Sequence, residues 1–426
     1  MTKKLTSLLV LLAALLMLPQ TALASSHEEG GGEVNVKEAI FHHLGDGYGW
    51  EVPFSHVYRI PLPVIVRAED GKWFCFSSAK LTEVTVYRDE ATGKETKHLT
   101  PVIHEVERDG KTYRFCIAHE SKHKNKIVEM FPLTPAEQSE VYAMSVSQGT
   151  AGESDSIVDG YVKFDGVYYR EYKPWDISIT KNVLALFIAS IIVTLMVMSV
   201  VRWYARKGFK APRKGLGFME MLIDFIYTGV IKSTLGDKAK KFAPFLLTCF
   251  FFILVMNLLG LIVIFPGGAN LTGNIAVTLV LAVMTFIITN VLGTKHYWKE
   301  IFWPDVPLFL KFPLPIMQLI EIFGIFTKPA ALCIRLFANM MGGHMIVITL
   351  VMIIFIFAAF GAAVAGSSVV VSILFTIFML ALDVLVSFIQ AYVFTLLSTM
   401  FIAMGQEDGH HHNEGDVTVA SDDVTV

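Results

Sequence analysis

Two apolar segments near the end of the chain, residues 315–360 and 369–404, are longer than any upright crossing of a bilayer requires. A helix rises about 1.5 Å per residue and the hydrocarbon core is about 30 Å thick, so the second segment alone reaches about 54 Å. An upright helix of that length pushes apolar side chains into water. Each segment must therefore tilt strongly, bend or break. Only "GAAVAGSS" (361–368) separates them, which predicts an antiparallel hairpin. Composition agrees with a membrane class: 54% of residues are hydrophobic and 17% charged, less charge than a soluble chain of this length carries.

The rest of the membrane part follows from length and charge. Residues 183–201 are uncharged and long enough for one span, and Arg202, Arg206, Lys207, Lys210, Arg213 and Lys214 follow at once. The positive-inside rule puts that end in the cytoplasm. Residues 215–235 are amphipathic and keep Glu220 and Asp224, which predicts a helix along the cytoplasmic interface. Residues 242–265 and 275–293 form a hairpin of spans with the breaker-rich "PGGANLTGN" as its outer turn. Lys295, His296, Lys299 and Glu300 return the chain to the cytoplasm. The expectation is an all-α polytopic membrane domain over 178–405, with about five spans, the last two long and tilted, plus one interfacial helix.

The N-terminal part has a different grammar. Lys3 and Lys4, the apolar run Leu8–Leu18 and Ala22-Leu23-Ala24 have the form of a secretory signal over 1–24. Residues 25–177 then hold most of the charge, with an acidic excess. Within them, "VYRIPLPVIV", "KWFCFSS", "TEVTVYRDEATGKET", "KTYRFCIAH" and "GYVKFDGVYYREY" alternate aromatic and β-branched residues between turn signals. A small, exported, antiparallel β domain is expected there, outside the cytoplasm. Cys75 and Cys116 fall in this oxidising region, where a disulfide between them and two free thiols are both open, while Cys249 and Cys333 read as packing residues in apolar stretches. His42 and His43 beside Asp46 read as surface residues, and the polar tail 406–426, with His410, His411 and His412, as a solvated cytoplasmic end. No basic stripe with interleaved aromatics points to nucleic acid.

Charged groups inside apolar helices are costly and are functional candidates by default. The last two segments hold Glu321, Lys328, Arg335, His344 and Asp383, with the amides Asn339 and Gln390. Glu321, Lys328 and Arg335 are spaced by seven and share a helix face; Asn339, four beyond Arg335, joins it. Asp383 and Gln390 are again seven apart. In an antiparallel hairpin His344 and Asp383 lie toward the outer turn, Arg335 and Gln390 deeper, and Glu321 toward the cytoplasm. His344, nine residues from Arg335, falls on the opposite side of an ideal helix. A histidine beside a carboxylate takes and releases protons near neutral pH. Arginine stays charged, so it acts as a fixed barrier that attracts a carboxylate brought by a moving partner. Lys328 reads equally as function or as interhelical glue.

"KPAALCIRLFANMMGGHM" (328–345) and "SFIQAYVFTLLSTMFIAM" (387–404) resemble the signature helices of the subunit a family of F-type ATP synthases, with further matches in "LVMNLLGLIVIFPGGANLTGNIAVTLVLA" (254–282) and "IEIFGIFTKP" (320–329). The resemblance covers about 178–405. It implies that Arg335 faces the carboxylates of a rotating c-ring, that His344 and Asp383 line an outer half-channel, and that Glu321 serves the cytoplasmic half-channel. Asn339, Gln390 and Asn257 match further polar positions of the family. Asp383 stands where many members have Glu, and Gly260 where some have a carboxylate. The implied partners are the c-ring, the subunit b stalk, the other subunits of the complex and the lipid bilayer. The implied role is proton conduction without bond chemistry, cofactor or metal. Competing readings are a sodium-coupled form of the same machine, which the His344–Asp383 pair disfavours, and a secondary transporter, which the lack of inverted repeats disfavours. An intramembrane metalloenzyme lacks an HExxH-type ligand pair.

Overall fold

The computed structural model describes residues 46–51, 59–88, 95–118, 123–147, 160–208, 210–212, 215–261, 271–302, 316–358 and 362–406. The signal-like segment, His42, His43 and the histidine run of the tail lie outside the described residues. The chain divides into two compact units, one of residues up to 197 with 254–273 and 339–388, the other of 198–253, 274–338 and 389 onward.

In the first unit, period-2 alternation builds an antiparallel β domain. Strands β1 (Gly49–Glu51) and β2 (Arg59–Pro61) pair with each other. Strands β3 (Pro63–Arg67), β4 (Trp73–Ser77) and β12 (Trp175–Asp176) form a three-stranded sheet in the order β12-β3-β4. A five-stranded sheet runs β10-β11-β9-β8-β7, from β7 (His104–Arg108), β8 (Lys111–Ile117), β9 (Ile127–Pro132), β10 (Tyr161–Phe164) and β11 (Val167–Tyr172). Strands β5 (Thr82–Arg88) and β6 (Glu95–Pro101) make a separate ribbon. Val64, Val66, Phe74 and Phe76 of the small sheet share one buried cluster with Tyr113, Phe115 and Ile127 of the large one. Phe74 meets Tyr113 at 4.6 Å and Phe115 at 5.3 Å between ring centroids, and burying rings of this size drives the two faces together. Two tight hairpins use Asp-Gly pairs with positive φ, Asp109-Gly110 and Asp165-Gly166, as primed turns demand.

Helix α1 (Pro135–Ser147) was not expected from periodicity. Its start carries a capping box: Glu137 accepts from the Thr134 amide at 2.8 Å, and the Thr134 hydroxyl accepts from the Glu137 amide at 3.5 Å. Gln138 fixes it to β11 by bonding both the carbonyl and the amide of Tyr168.

The alternation that builds the β domain also separates its cysteines. Both are free, Cys75 exposed and Cys116 buried. Cys75 projects from β4 on the face opposite Phe74 and Phe76, while Cys116 leaves β8 opposite Phe115 and joins Val128, Met130 and Val162. The two thiols thus leave the shared core in opposite directions, so the structure holds free thiols where a disulfide was one of the two alternatives. Burial pushes the Cys116 thiol up to about 12, so it stays protonated.

Strand β12 leads into the first long helix without a gap. The Ile177 amide bonds Ile65, the Ile179 amide bonds Pro63 and the Lys181 amide bonds Gly47. The Asn182 amide bonds the Asp46 side chain at 3.3 Å as helix α2 (Lys181–Lys207) begins.

Helices α3 (Gly215–Ile226), α4 (Ala239–Leu261), α5 (Ile275–Val291), α6 (Lys295–Phe302), α7 (Ile316–Ala358) and α8 (Ala362–Gly405) follow. Among the described residues, the helical stretches 181–207, 215–261 and 371–405 are each long and apolar enough to cross a membrane. Helices α7 and α8 have 43 and 44 residues, so each extends about 65 Å at 1.5 Å per residue, twice the hydrocarbon core. Pro329 lies inside α7 and Pro244 inside α4. Helix α3 is amphipathic as expected, burying Met219, Leu222 and Ile226, yet its outer side also carries Phe218, Met221 and Phe225. It does not stop at 226: a π-turn over Tyr227–Lys232 and a short helical turn carry it on to Gly236, whose φ of 54° breaks the run. Helix α5 starts where Asn274 caps the Ala276 amide at 3.0 Å.

One buried carboxylate in the β domain generates a pH test. Glu129 on β9 is 2% exposed and accepts from the Glu69 amide at 2.8 Å. Burial raises Glu129 above the usual carboxylate range, against the Glu69 bond that lowers it. A carboxyl raised in the fold binds more protons there than in the unfolded chain, so its contribution to stability falls as pH rises through that range. Glu129→Gln, which keeps an acceptor, should raise the unfolding midpoint at pH about 7 and lose that advantage by pH about 3, below the unfolded carboxylate value. Thermal unfolding of the solubilised chain at both pH values checks this.

Candidate functional site

The sequence-predicted residues fall on three helices, and each compact unit gathers its own subset. In the first unit, α4, α7 and α8 supply Asn257, Asn339, His344 and Asp383. Asn257 is fully buried. Its amide nitrogen donates to the Ser387 carbonyl at 3.4 Å, and its oxygen accepts from Thr272 at 2.8 Å. Ser387 in turn donates its hydroxyl to the Asp383 carbonyl at 2.7 Å. Asn257 therefore ties the loop end before α5 to the turn of α8 that carries Asp383. An unsatisfied buried amide is costly, so this connection fixes the position of that turn.

Glycine decides how near α7 comes to Asp383. A Cβ built on Gly343 would stand 2.9 Å from Asp383 Oδ1 and 3.3 Å from its Cγ. A side chain there would displace the carboxylate from this position, and the next residue is His344. Asp383 and His344 are both half-buried. Gly343, Thr272 and Ser387 escaped the sequence reading, which weighed ionisable residues and amides. The adjacent pair Gly342-Gly343 inside an apolar helix was the available signal, since a helix tolerates glycine at a cost and usually for close packing.

In the second unit, α7 carries Glu321, Lys328 and Arg335, and α8 carries Gln390. The heptad spacing holds along one continuous helix. Glu321 and Lys328 are half-buried and Arg335 is exposed, as the drift of about 20° per heptad would rotate them. Lys328 packs its ammonium over the Phe401 ring at 5.7 Å, with Met404 Sδ at 4.0 Å, so it does interhelical work. Arg335 sits in an open stripe with Thr327, Ala330, Ala331, Ile334 and Ala338, while Leu332, Cys333 and Leu336 face inward. Among the described residues Arg335 has no ion-pair partner. Gln390 is half-buried on α8, beside the fully buried Ala391. Among the described residues no group of His, Cys, Asp and Glu has the arrangement to hold a metal.

Residues 183–403 match the family described as ATP synthase A chain. The chain belongs to the ATP synthase subunit a family. The matched region covers more than half of the chain and contains all eight of these residues. The chain is 42% identical over 243 residues to ATP synthase subunit a of Chlorobium phaeobacteroides (strain BS1), covering 57% of this chain and 70% of that relative. It is 40% identical over 271 residues to that of Chloroherpeton thalassium, with 61% and 77% covered. The subunit a of Myxococcus xanthus is 40% identical over 247 residues, with 56% and 76% covered. Residues 39–142 match a separate domain of unknown function. The subunit a region is thus the helical part, embedded in a membrane, and the β domain carries a family match of its own.

The Gly343 contact is testable against its neighbour. A Cβ on Gly342 would meet nothing within 4 Å. Gly343→Ala should push the Asp383 carboxylate out of this contact and lower the thermal midpoint, at an overpacking cost of at most about 1–3 kcal/mol, whereas Gly342→Ala should leave the midpoint unchanged or raise it slightly, alanine being the better helix former.

Proposed function

We propose that this subunit a is the proton-conducting stator of an F-type ATP synthase, with two offset half-channels that meet at a rotating ring of carboxylates. The observation that carries the reading is Arg335: a permanent charge on the open side of an apolar helix, without an ion-pair partner among the described residues. Insertion scales put an arginine at mid-membrane at about 2.5–3.5 kcal/mol, so its compensation comes from outside the chain. A carboxylate carried past by a partner ring meets that need, and small residues at Ala331 and Ala338 let the ring approach.

The proposed path has its outer half at His344 and Asp383, supported by the close approach that Gly343 allows. Asn257, Ser387 and Thr272 brace that half. Asn339 and Gln390 are further polar positions of the path, and Glu321 opens the inner half. Arginine does not release its proton, so it blocks direct leakage and obliges each proton to ride the ring between the halves. The chain makes and breaks no covalent bond; ATP forms in the catalytic head of the complex. The proposed topology has five spans (α2, α4, α5, α7 and α8), a periplasmic β domain and a cytoplasmic C-terminus, with the c-ring, subunit b and the remaining subunits as partners. The β domain, placed at the start of α2 by β12, suits a stator or assembly contact.

Inverted membrane vesicles carrying the assembled complex test the reading. Arg335→Ala should abolish ATP-driven acidification while the complex still assembles; retained coupled pumping rejects the role of Arg335. His344→Ala should slow acidification by about a hundredfold, the low end of what a positioned proton-transfer group supplies, with assembly intact. Unchanged flux in that variant removes His344 from the path.

A further inference from the structure

Inside the second unit, α5, α6, α7 and α8 line a partly open cavity of about 20 Å³. On α7 it touches Ile325, Lys328, Pro329 and Leu332, an i, i+3, i+4, i+7 row. That row begins one turn after Glu321 and ends one turn before Arg335. A volume of this size holds one water molecule, provided polar atoms line it.

The lining supplies such an atom. Thr289 is 8% exposed, and its hydroxyl has no hydrogen-bond partner among the described residues. Buried helical threonines normally bond a carbonyl of the preceding turn, as Thr285 does to Leu281 at 3.3 Å. Thr289 departs from this beside Gly405: a Cβ there would stand 3.4 Å from the Thr289 methyl and 3.0 Å from its carbonyl oxygen. With the methyl lodged against α8, the hydroxyl stays available to a guest. Tyr297 also lines the cavity, its hydroxyl donating to Asn290 Oδ1 at 3.3 Å. Burial and the charge of Glu321 both raise the Tyr297 phenol, so that ring lies within the field of the carboxylate. Outside the cavity lining, His296 Nδ1 on α6 and Gln318 Oε1, one turn before Glu321, are likewise buried polar atoms without partners among the described residues.

We infer that one water molecule sits in this cavity on Thr289 Oγ1 and carries protons along the inner half-path between the Arg335 region and Glu321, with Tyr297 as its second positioning residue. The inference rests on the half-channel reading above and adds the residues that hold the path together. A hydroxyl both donates and accepts, so Thr289 keeps the water bound in either orientation. The water oxygen takes one proton while a different proton leaves it toward Glu321, so no proton is gained or lost on balance. Lys328, held over Phe401, keeps its stem in the wall.

The test uses the intact complex in inverted vesicles, with assembly checked on native gels. Thr289→Val removes the hydroxyl at nearly constant volume and should slow ATP-driven acidification by about tenfold, the worth of one net hydrogen bond. Thr289→Ser restores the hydroxyl and should pump at the parental rate. Thr289→Cys supplies a readout independent of rate: silver ion, which travels with water, should inhibit it well beyond its effect on the parental chain with Cys249 and Cys333. Parental pumping by Thr289→Val, or a Thr289→Cys variant no more silver-sensitive than the parent, overturns the inference. If Thr289→Val fails to assemble, the silver result on Thr289→Cys decides. Arg335→Ala in the same vesicles keeps the two levels apart. Lost pumping there with a silent Thr289→Val rejects the water site alone, and retained pumping there rejects the half-channel reading beneath it.

Discussion

A charge placed in a low-dielectric helix must be compensated, and among the described residues Arg335 has no ion-pair partner. A neighbouring turn of α7 shows what built-in compensation looks like. Lys328 folds over Phe401 and Met404. Arg335 alone is turned to the open side, among alanines and a threonine. The same helix thus carries a solved electrostatic problem and an unsolved one. On the function proposed above, the unsolved one marks the surface on which a partner acts. Everything proposed for the mechanism follows from keeping that charge fixed, accessible to a ring and inaccessible to a leak.

Fixing it requires a stiff frame, and hydroxyls and amides supply that frame with little charge. Asn257 links Thr272 to Ser387, and Ser387 closes back onto the turn of Asp383. Thr285 faces Ser398 at 3.4 Å between α5 and α8. The C-terminal end of α8 is tied down where Lys238 donates to the Gln406 carbonyl at 2.6 Å and the Thr294 amide to Gly405 at 2.8 Å. Helices in lipid gain little from the hydrophobic effect between them, so close small residues and such bonds carry the packing. Glycines at 343 and 405 serve the same end by letting a carboxylate or a threonine come to within van der Waals distance of a backbone.

The β domain obeys the other solvent. Its core is aromatic, its strands alternate, and its register is pinned by two Asp-Gly turns. Its one fully buried carboxylate, Glu129, is held by a backbone amide. Strand β12 passes straight into α2, so the domain is rigidly continuous with the start of the first span, not hung on a linker.

Much of this was legible in the sequence because two periodicities and one energetic penalty are strong signals. Alternation marked β3, β4, β8, β10 and β11, uncharged length marked α2, α4 and α5, and the cost of ions in lipid singled out Glu321, Arg335, His344 and Asp383. Heptad spacing put Glu321, Lys328 and Arg335 near one side of α7, but it did not show that Lys328 packs over Phe401 while Arg335 is exposed. What the sequence left open depends on which atoms meet across elements. Cys75 and Cys116 lie on strands that sandwich one core, and only the packing of the two sheets shows that they leave it in opposite directions. Gly343 looks like a helix defect until Asp383 is seen filling the space of its absent side chain. Thr289 is an ordinary span residue until α6 and α8 close around it. Sequence by itself determined the membrane class, the order of the elements and the place of the unpaired arginine, because hydropathy and charge are local properties of the chain. The tertiary structure alone decided the thiols, the glycine contact and the water-sized cavity, because those depend on distances between residues far apart in sequence.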